Sequence, residues 1–227
     1  MLWELATYHR SPAPSDPGPT PAGGPRRPAR RRLRPVRGAR LTGGEAAGRW
    51  LLTVEEPDLR ATAGVARGAL FNILGDQVYG MRVVDLCAGV GTLGIEALSR
   101  GAAHATFVEV RSARAQLIAR NCESLGFSDR AEVVAEDAEG WARRRGDVLV
   151  RSQLVLADPP YASPGPELLA RLLLQAGRLA SEFPAWDPTV VMEHHRELTL
   201  EDAPGALNCV RVARYGTTVL SFYRRSR

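Results

Sequence analysis

Residues Asp158 to Tyr161 combine a carboxylate, two prolines and an aromatic ring in the sequence DPPY, directly after an apolar run. Pro159 and Pro160 cannot continue a sheet ladder or enter a helix interior, so they fix a rigid, exposed turn. On this turn the Tyr161 ring can stack on a planar base, while Asp158 and the Pro159 carbonyl accept the hydrogens of an exocyclic amine. An aromatic amine is a weak nucleophile, and holding it in line with a reacting carbon supplies orientation and electrostatic stabilisation. The alternative is a turn without a chemical role.

A second candidate site is the segment VVDLCAGVGTLG, in which an apolar strand ends at Asp85 and continues into Gly89-x-Gly91-x-x-Gly94. Glycines let the backbone approach a ligand closely, and a helix N-terminus offers free N–H groups. This spacing alone also suits a dinucleotide site, or a turn that only packs strand on helix. A carboxylate just before the loop would repel a pyrophosphate. It therefore favours a cationic ligand with an amino-acid end, such as S-adenosylmethionine.

Two further acids follow the next two predicted strands. Glu109 ends the strand ATFVEV, where an acid hydrogen-bonds the two ribose hydroxyls of an adenosine. Dinucleotides contain the same ribose, so Glu109 does not choose between the cofactors, and it could also be a solvated acid. Asp137 follows the strand AEVVAED at a position suited to an adenine amine. Alternatively, it caps the next helix.

The elements that must position these residues alternate along the chain. Apolar, β-rich runs are separated by helical patterns, the clearest of which places Leu and Ala on one face from Leu168 to Ala180. Such alternation predicts an α/β fold with a mainly parallel sheet of seven strands. The last two runs are too close for a parallel crossover and should form an antiparallel hairpin. The predicted strands are Arg82–Leu86, Ala105–Val110, Ala131–Ala135, Gln153–Ala157, Thr189–Glu193, Asn208–Ala213 and Thr217–Phe222.

Three segments are predicted from changes in composition. Residues 11–35 contain eight of the sixteen prolines and almost no large apolar side chains, so we expect residues 1–37 to form a disordered Pro/Arg-rich tail. This tail is either a nucleic-acid-binding arm or a solvated extension. Residues 38–80 predict a β-hairpin, with strands at Ala39–Thr42 and Arg49–Val54, and a helix at Val65–Leu74. Residues 81–227 form the main α/β domain.

The overall composition, with 44% hydrophobic and 24% charged residues among 227, is that of an ordinary globular protein. No apolar run reaches membrane length, and the N-terminus lacks the order of a secretory signal. The three cysteines are too few and too far apart for a disulfide framework, so we expect them to be reduced and buried in a cytoplasmic protein. His194 and His195 should point to opposite faces of an extended segment. We therefore expect no metal site.

Taken together, these segments resemble the RsmD family, which methylates N2 of a guanine in bacterial 16S rRNA. The shared segments are DLCAGVGTLGIEALSRGA, the DPPY turn and the ending RYGTTVLSFYR. Upstream, RATAGVARGALFNIL is similar to the family's RPTTDRVREALFNIL, and ARLTGGEAAGRWL to its opening RIIxGxxxGRxL. The resemblance covers about Ala39 to Arg224.

The resemblance implies a Rossmann-like class I methyltransferase with a small N-terminal extension and S-adenosylmethionine as cofactor. It implies 16S rRNA, or a small-subunit assembly particle, as the partner, and we expect a monomer that contacts no membrane. The implied cofactor-binding residues are Asp85, Gly89, Gly91, Glu109 and Asp137. The implied catalytic residues are Asp158, Pro159, Pro160 and Tyr161.

The upstream motif departs from the family pattern. Where the family has Pro, Thr, Asp, Arg and Glu, this chain has Ala61, Ala63, Gly64, Val65 and Gly68. Because the family touches cofactor and RNA with this segment, methyl transfer is better supported than the exact guanine. The alternatives are a methyltransferase of another RNA or DNA amine such as adenine N6, a non-catalytic methyltransferase-like binding protein, and a dinucleotide oxidoreductase. DPPY has no role in the oxidoreductase.

Overall fold

A computed structural model of the chain describes residues 35–54, 64–162, 164–200 and 205–225. At its N-terminal end, strands β1 (Pro35–Arg40) and β2 (Trp50–Val54) pair antiparallel and are followed by helix α1 (Gly64–Leu74). The predicted hairpin is therefore present, although β1 lies upstream of the expected run. Of the predicted tail, residues 1–34 lie outside the described residues and residues 35–37 belong to β1.

Strands and helices then alternate, as the sequence predicts. The strands are β3 (Arg82–Leu86), β4 (His104–Val108), β5 (Ala131–Val134), β6 (Leu154–Ala157), β7 (Thr189–His195), β8 (Leu207–Tyr215) and β9 (Thr218–Arg225). The helices are α2 (Thr92–Ser99), α3 (Ser112–Leu125), α4 (Ala138–Arg144), α5 (Gly146–Leu149) and α6 (Gly165–Glu182). Short 3-10 turns occupy Gly75–Val78 and Ser128–Arg130.

The seven strands form one sheet in the spatial order β5-β4-β3-β6-β7-β9-β8. The first five of these strands pair in parallel, whereas β9 runs antiparallel between β7 and β8. The predicted seven-stranded, mainly parallel sheet with an antiparallel C-terminal hairpin is thus confirmed. No helix in the described part of the chain is both long and apolar enough to cross a membrane.

Two apolar layers cover the sheet. On one face, residues of the N-terminal hairpin, α1, α2 and α3 pack against alternate side chains of the central strands, including Val83, Phe107 and Leu156. On the other face, α4 and α6 pack against the intervening side chains, including Val84 and Val155. Burial on both faces explains why these strands are continuously apolar. The edge strand β5 is only partly buried.

A buried carboxylate connects the N-terminal hairpin to the sheet domain. Glu96 of α2 is fully buried, and it accepts hydrogen bonds from the Thr42 N–H at 2.9 Å and the Thr42 hydroxyl at 2.7 Å. Its charge is balanced by Arg100 at 3.0 Å and by Arg67 of α1 at 3.5 Å. Because a buried charge is costly unless it is paired, this cluster fixes the hairpin and α1 on α2.

Candidate active site

The candidate site lies at the carboxyl ends of β3 and β6, in the centre of the sheet. From β3 the chain moves outward through β4 and β5, then returns to place β6 on the other side of β3. Such a reversal of strand order opens a crevice at the carboxyl edge of the sheet, where ligands bind in open α/β folds. In the register of the two strands Leu86 pairs with Ala157, so the loop after β3 and the DPPY turn leave the sheet side by side.

The glycine loop after β3 has an unusual backbone. Cys87, Gly89 and Gly91 have φ angles of 65°, 60° and 83°. At Gly91, the N-cap of α2, a Cβ would also lie 3.1 Å from side-chain atoms of Ile95 and Ile118. Both the positive φ and the close packing therefore require glycine at position 91. The loop turns sharply, and α2 begins close to the carboxyl end of β3.

Asp85 lies within β3, one residue before the strand ends, and not at its last residue as the sequence suggested. Its side chain is 1% exposed, and Oδ2 accepts a hydrogen bond from the Gly94 N–H at 2.9 Å. Oδ1 is buried and has no hydrogen-bond partner among the described residues. Burial raises the pKa of Asp85 to about 7, and the charges of Asp158 and Glu109 act in the same direction. Because buried polar atoms are nearly always hydrogen-bonded, Oδ1 is suited to accept a hydrogen bond from a bound ligand.

Glu109 directly follows β4 and is also buried. Its Oε2 accepts from the Gly89 N–H at 2.8 Å, and its Oε1 accepts from the Arg111 N–H at 2.8 Å. A carboxylate has about four lone-pair sites, so each oxygen keeps capacity for another donor. Glu109 thus holds the glycine loop through the Gly89 N–H, and its oxygens can still accept hydrogen bonds from the two hydroxyls of a ligand.

Asp137 is the N-cap of α4, where its Oδ2 accepts from the Gly140 N–H at 2.7 Å. The capping role that the sequence left as an alternative is therefore present, and the side chain is exposed. Its predicted contact with an adenine amine stays a prediction.

Four carboxylates surround the thiol of Cys87. Burial raises the pKa of this thiol, and the negative charges of Asp85, Glu109, Asp158 and Asp137 raise it further. The thiol therefore stays protonated, and the crevice as a whole favours a cationic ligand. Cys87 and Cys209 are partly exposed, so the prediction that all three cysteines are buried is wrong for these two.

The DPPY turn is held from the side of α6. Pro159 is buried, Pro160 is exposed, and Asp158 and Tyr161 are partly buried. Gly165, the first residue of α6, lies so close to the turn that a Cβ would come within 1.6 Å of the Pro160 carbonyl oxygen. The turn therefore requires glycine there, a condition that the sequence motif does not reveal.

On the other side, the Tyr161 hydroxyl reaches the C-terminal strands. It lies 2.8 Å from Thr218 Oγ1 of β9 and donates to Glu193 Oε1 of β7 at 3.3 Å. Its ring lies 5.5 Å from the His195 ring, with the planes tilted by 57°. Sequence reasoning gave Tyr161 only a stacking role and missed Thr218, Glu193 and His195, since no local pattern marks them.

The two adjacent histidines face different neighbours. His194 Nε2 lies 2.9 Å from the Ser221 hydroxyl, whereas His195 lies against Tyr161. Burial lowers the pKa of His194, so that side chain is neutral near pH 7. Among the described residues, no group of three or more His, Cys, Asp or Glu side chains could hold a metal ion.

Comparisons with known proteins identify chains that are similar to this one. The model of the family described as "Conserved hypothetical protein 95" matches residues 39–224. "Putative rRNA methyltransferase YlbH" of Bacillus subtilis is 32% identical over 82% of this chain and 98% of its own length. "Ribosomal RNA small subunit methyltransferase D" of Escherichia coli K12 is 36% identical over 63% of this chain and 70% of its own length. Among solved structures, "Putative methyltransferase yhhF" of Escherichia coli superposes with a TM-score of 0.65 at 28% identity, covering 82% of this chain and 97% of the other.

Proposed function

The chain belongs to the family described as conserved hypothetical protein 95, and from that membership we propose that it methylates the exocyclic N2 amine of a guanine in 16S rRNA. The resemblance to the RsmD family predicted from the sequence is confirmed by the related small-subunit rRNA methyltransferase. RNA methyl transfer is therefore the activity of this chain. The N2 atom and the guanine are the finer parts of the proposal.

S-adenosylmethionine supplies a methyl group on a sulfonium centre, and the crevice fits this cofactor. The observation that carries the proposal is Asp85 Oδ1, a buried oxygen beside the DPPY turn that accepts no hydrogen bond from the described residues. This oxygen would accept from the ammonium group of the methionine part. Glu109 would accept from the ribose hydroxyls, and Asp137 from the adenine amine.

The DPPY turn supplies the chemistry on the base. Asp158 and the Pro159 carbonyl would accept the two hydrogens of the guanine N2 amine, which orients its lone pair. Tyr161 would stack on the base. Because the base must leave its stack to reach the crevice, a guanine in a loop should be a better substrate than one in a helix.

Of the departures in the upstream motif, those at Gly64, Val65 and Gly68 lie on α1 and are not packing positions. A Cβ at Gly64 or Gly68 would meet no described atom within 4 Å, and Val65 is 73% exposed. Arg67, which the family also has, is buried and paired with Glu96. Burial lowers the pKa of Arg67, but the nearby Glu96 and Glu193 favour its charged form. Ala61 and Ala63 lie outside the described residues. The changed positions on α1 thus face open space, so the changes leave the packing of this helix intact.

The decisive experiment incubates the protein with labelled S-adenosylmethionine and small ribosomal subunits from a strain that lacks it. Nuclease digestion and mass spectrometry then locate the label, which we expect on N2 of one guanine. Asp158→Ala should lower the rate by roughly a hundredfold to a thousandfold, because one preorganised acceptor is lost. Its cofactor affinity should be unchanged.

The matched control is Asp129→Ala, an exposed aspartate near β5, which should behave like wild type. A label on adenine would establish the alternative N6 reaction. Full activity of Asp158→Ala would reject the role of the turn.

A further inference from the structure

The structure assigns Thr218 and Glu193 as positioning residues, which hold the DPPY turn in its working orientation through the hydroxyl of Tyr161. This inference rests on the proposed function, because it concerns the same turn. The C-terminal hairpin contains the segment RYGTTVLSFYR, to which no chemical role has been assigned. Through Thr218, this hairpin takes part in the reaction.

The Tyr161 hydroxyl has hydrogen-bond partners on both C-terminal strands. Tyr161 donates to Glu193 Oε1 at 3.3 Å, which leaves its oxygen able to accept. Thr218 Oγ1 lies at 2.8 Å, and either hydroxyl of this pair can be the donor. A phenolic hydroxyl has one hydrogen to donate and can accept another, and these two partners can use both capacities.

Both partners come from rigid parts of the fold. Thr218 is 7% exposed and Glu193 is 4% exposed. They lie on adjacent antiparallel strands, with Thr218 paired to His195 and Glu193 paired to Leu220. Because both partners are buried, water competes little for these two side chains, and the 2.8 Å bond to Thr218 is the stronger of the two. The Tyr161 ring is thereby fixed relative to β7 and β9.

The position of Tyr161 determines the position of Asp158. Only Pro159 and Pro160 separate the two residues, and proline fixes its own φ and restricts the residue before it. The turn therefore moves nearly as one body. On the side of α6, the turn lies so close to Gly165 that a Cβ there would overlap the Pro160 carbonyl oxygen. Releasing the hydroxyl lets the turn rotate, and a displacement of about 1 Å can cost roughly a hundredfold in rate.

The test measures methyl transfer to the small-subunit particle for Thr218→Val, Tyr161→Phe and the double variant. We expect each single variant to lower kcat by roughly fivefold to a hundredfold with unchanged cofactor affinity. The double variant should be no slower than Tyr161→Phe alone, because both changes remove the same contact. Thr218→Ser keeps the hydroxyl and should restore kcat, which a loss of packing would not allow.

Two controls separate positioning from other roles. Thr189→Val removes a buried threonine hydroxyl at the opposite end of β7, where it accepts from Arg224 at 3.1 Å, and should leave kcat unchanged. Glu193→Gln keeps an acceptor oxygen and should retain most of kcat. A large loss in the folded Glu193→Gln protein would show that the negative charge of Glu193, and not its acceptor oxygen, is what the reaction needs, which overturns the assignment.

The inference and the proposed function can fail separately. Wild-type rate in Thr218→Val, or multiplicative losses in the double variant, would overturn the inference while the label still appears on guanine. If the label appears on another base, the proposed function fails and the same variants are ranked on that substrate.

If no substrate is labelled, a double-mutant cycle on the unfolding equilibrium still tests the contact. Its coupling should be roughly threefold to tenfold, and no coupling would overturn the inference.

Discussion

Replacing Asp85 by Asn should remove most of the pH dependence of cofactor binding near neutral pH. The carboxylate is buried, with one oxygen bonded to the Gly94 N–H and the other without a partner in the described part of the chain. Burial raises its pKa to about 7. The ionised form is the one that accepts from an ammonium group, so proton and cofactor compete for the same oxygen.

The size of this effect follows from the pKa. If only the ionised form binds, the apparent Kd of the wild type should rise by about tenfold between pH 8 and pH 6. Protonation of Asp85, which weakens cofactor binding, stabilises the folded protein when no cofactor is bound. The folded-state pKa is above the unfolded value of about 3.9, so this proton stabilises the folded state at low pH and its contribution is lost as pH rises through about 7. The total change is roughly 4 kcal/mol.

The assay is calorimetric titration with S-adenosylhomocysteine at pH 6, 7 and 8. Any titration of the ligand itself is the same for both proteins, so the ratio of their Kd values isolates Asp85. We expect Asp85→Asn to bind weakly at every pH, and to be more stable than wild type to urea at pH 8. Parallel pH profiles, or equal affinity at pH 8, would refute the assignment of Asp85 to the ammonium group.

Three further predictions concern the fold around the site. Gly68→Ala should stabilise the protein by about 0.5–1 kcal/mol, because the added methyl group meets open space in α1. Gly94→Ala should destabilise it, because the added Cβ would lie 2.3 Å from a buried phenylalanine ring. Urea unfolding of both variants provides the comparison, and equal shifts would contradict it. Gly165→Ala should displace the Pro160 carbonyl and lower kcat by about a hundredfold with intact cofactor binding, measured by methyl transfer and calorimetry. Glu96→Ala should cost about 3–5 kcal/mol in the free energy of unfolding, since it leaves buried arginine charge unpaired, and a loss under 1 kcal/mol would show that the cluster is dispensable.

Much of the site could be predicted from local sequence. Apolar runs, glycines and prolines act over a few residues, so β3, the glycine loop and the DPPY turn are recognisable without tertiary information. Asp85, Glu109 and Asp137 were selected because acids at or just after strand ends in a parallel sheet meet at one edge. The burial of Asp85 and Glu109, and the raised pKa of Asp85, depend on how the glycine loop folds back over the strand.

The sequence by itself determined which acids and turns lie near the carboxyl ends of the strands, and only the tertiary structure decided which of them meet. Asp85 and Asp158 become neighbours because β6 returns to lie beside β3, a pairing between segments far apart in the chain. The Tyr161 hydroxyl lies beside Thr218 only because β9 pairs antiparallel with β7. Side-chain periodicity fixes which face of a strand is buried, but strand order and register arise from packing over the whole sheet. Contacts of that range are not encoded in any short motif.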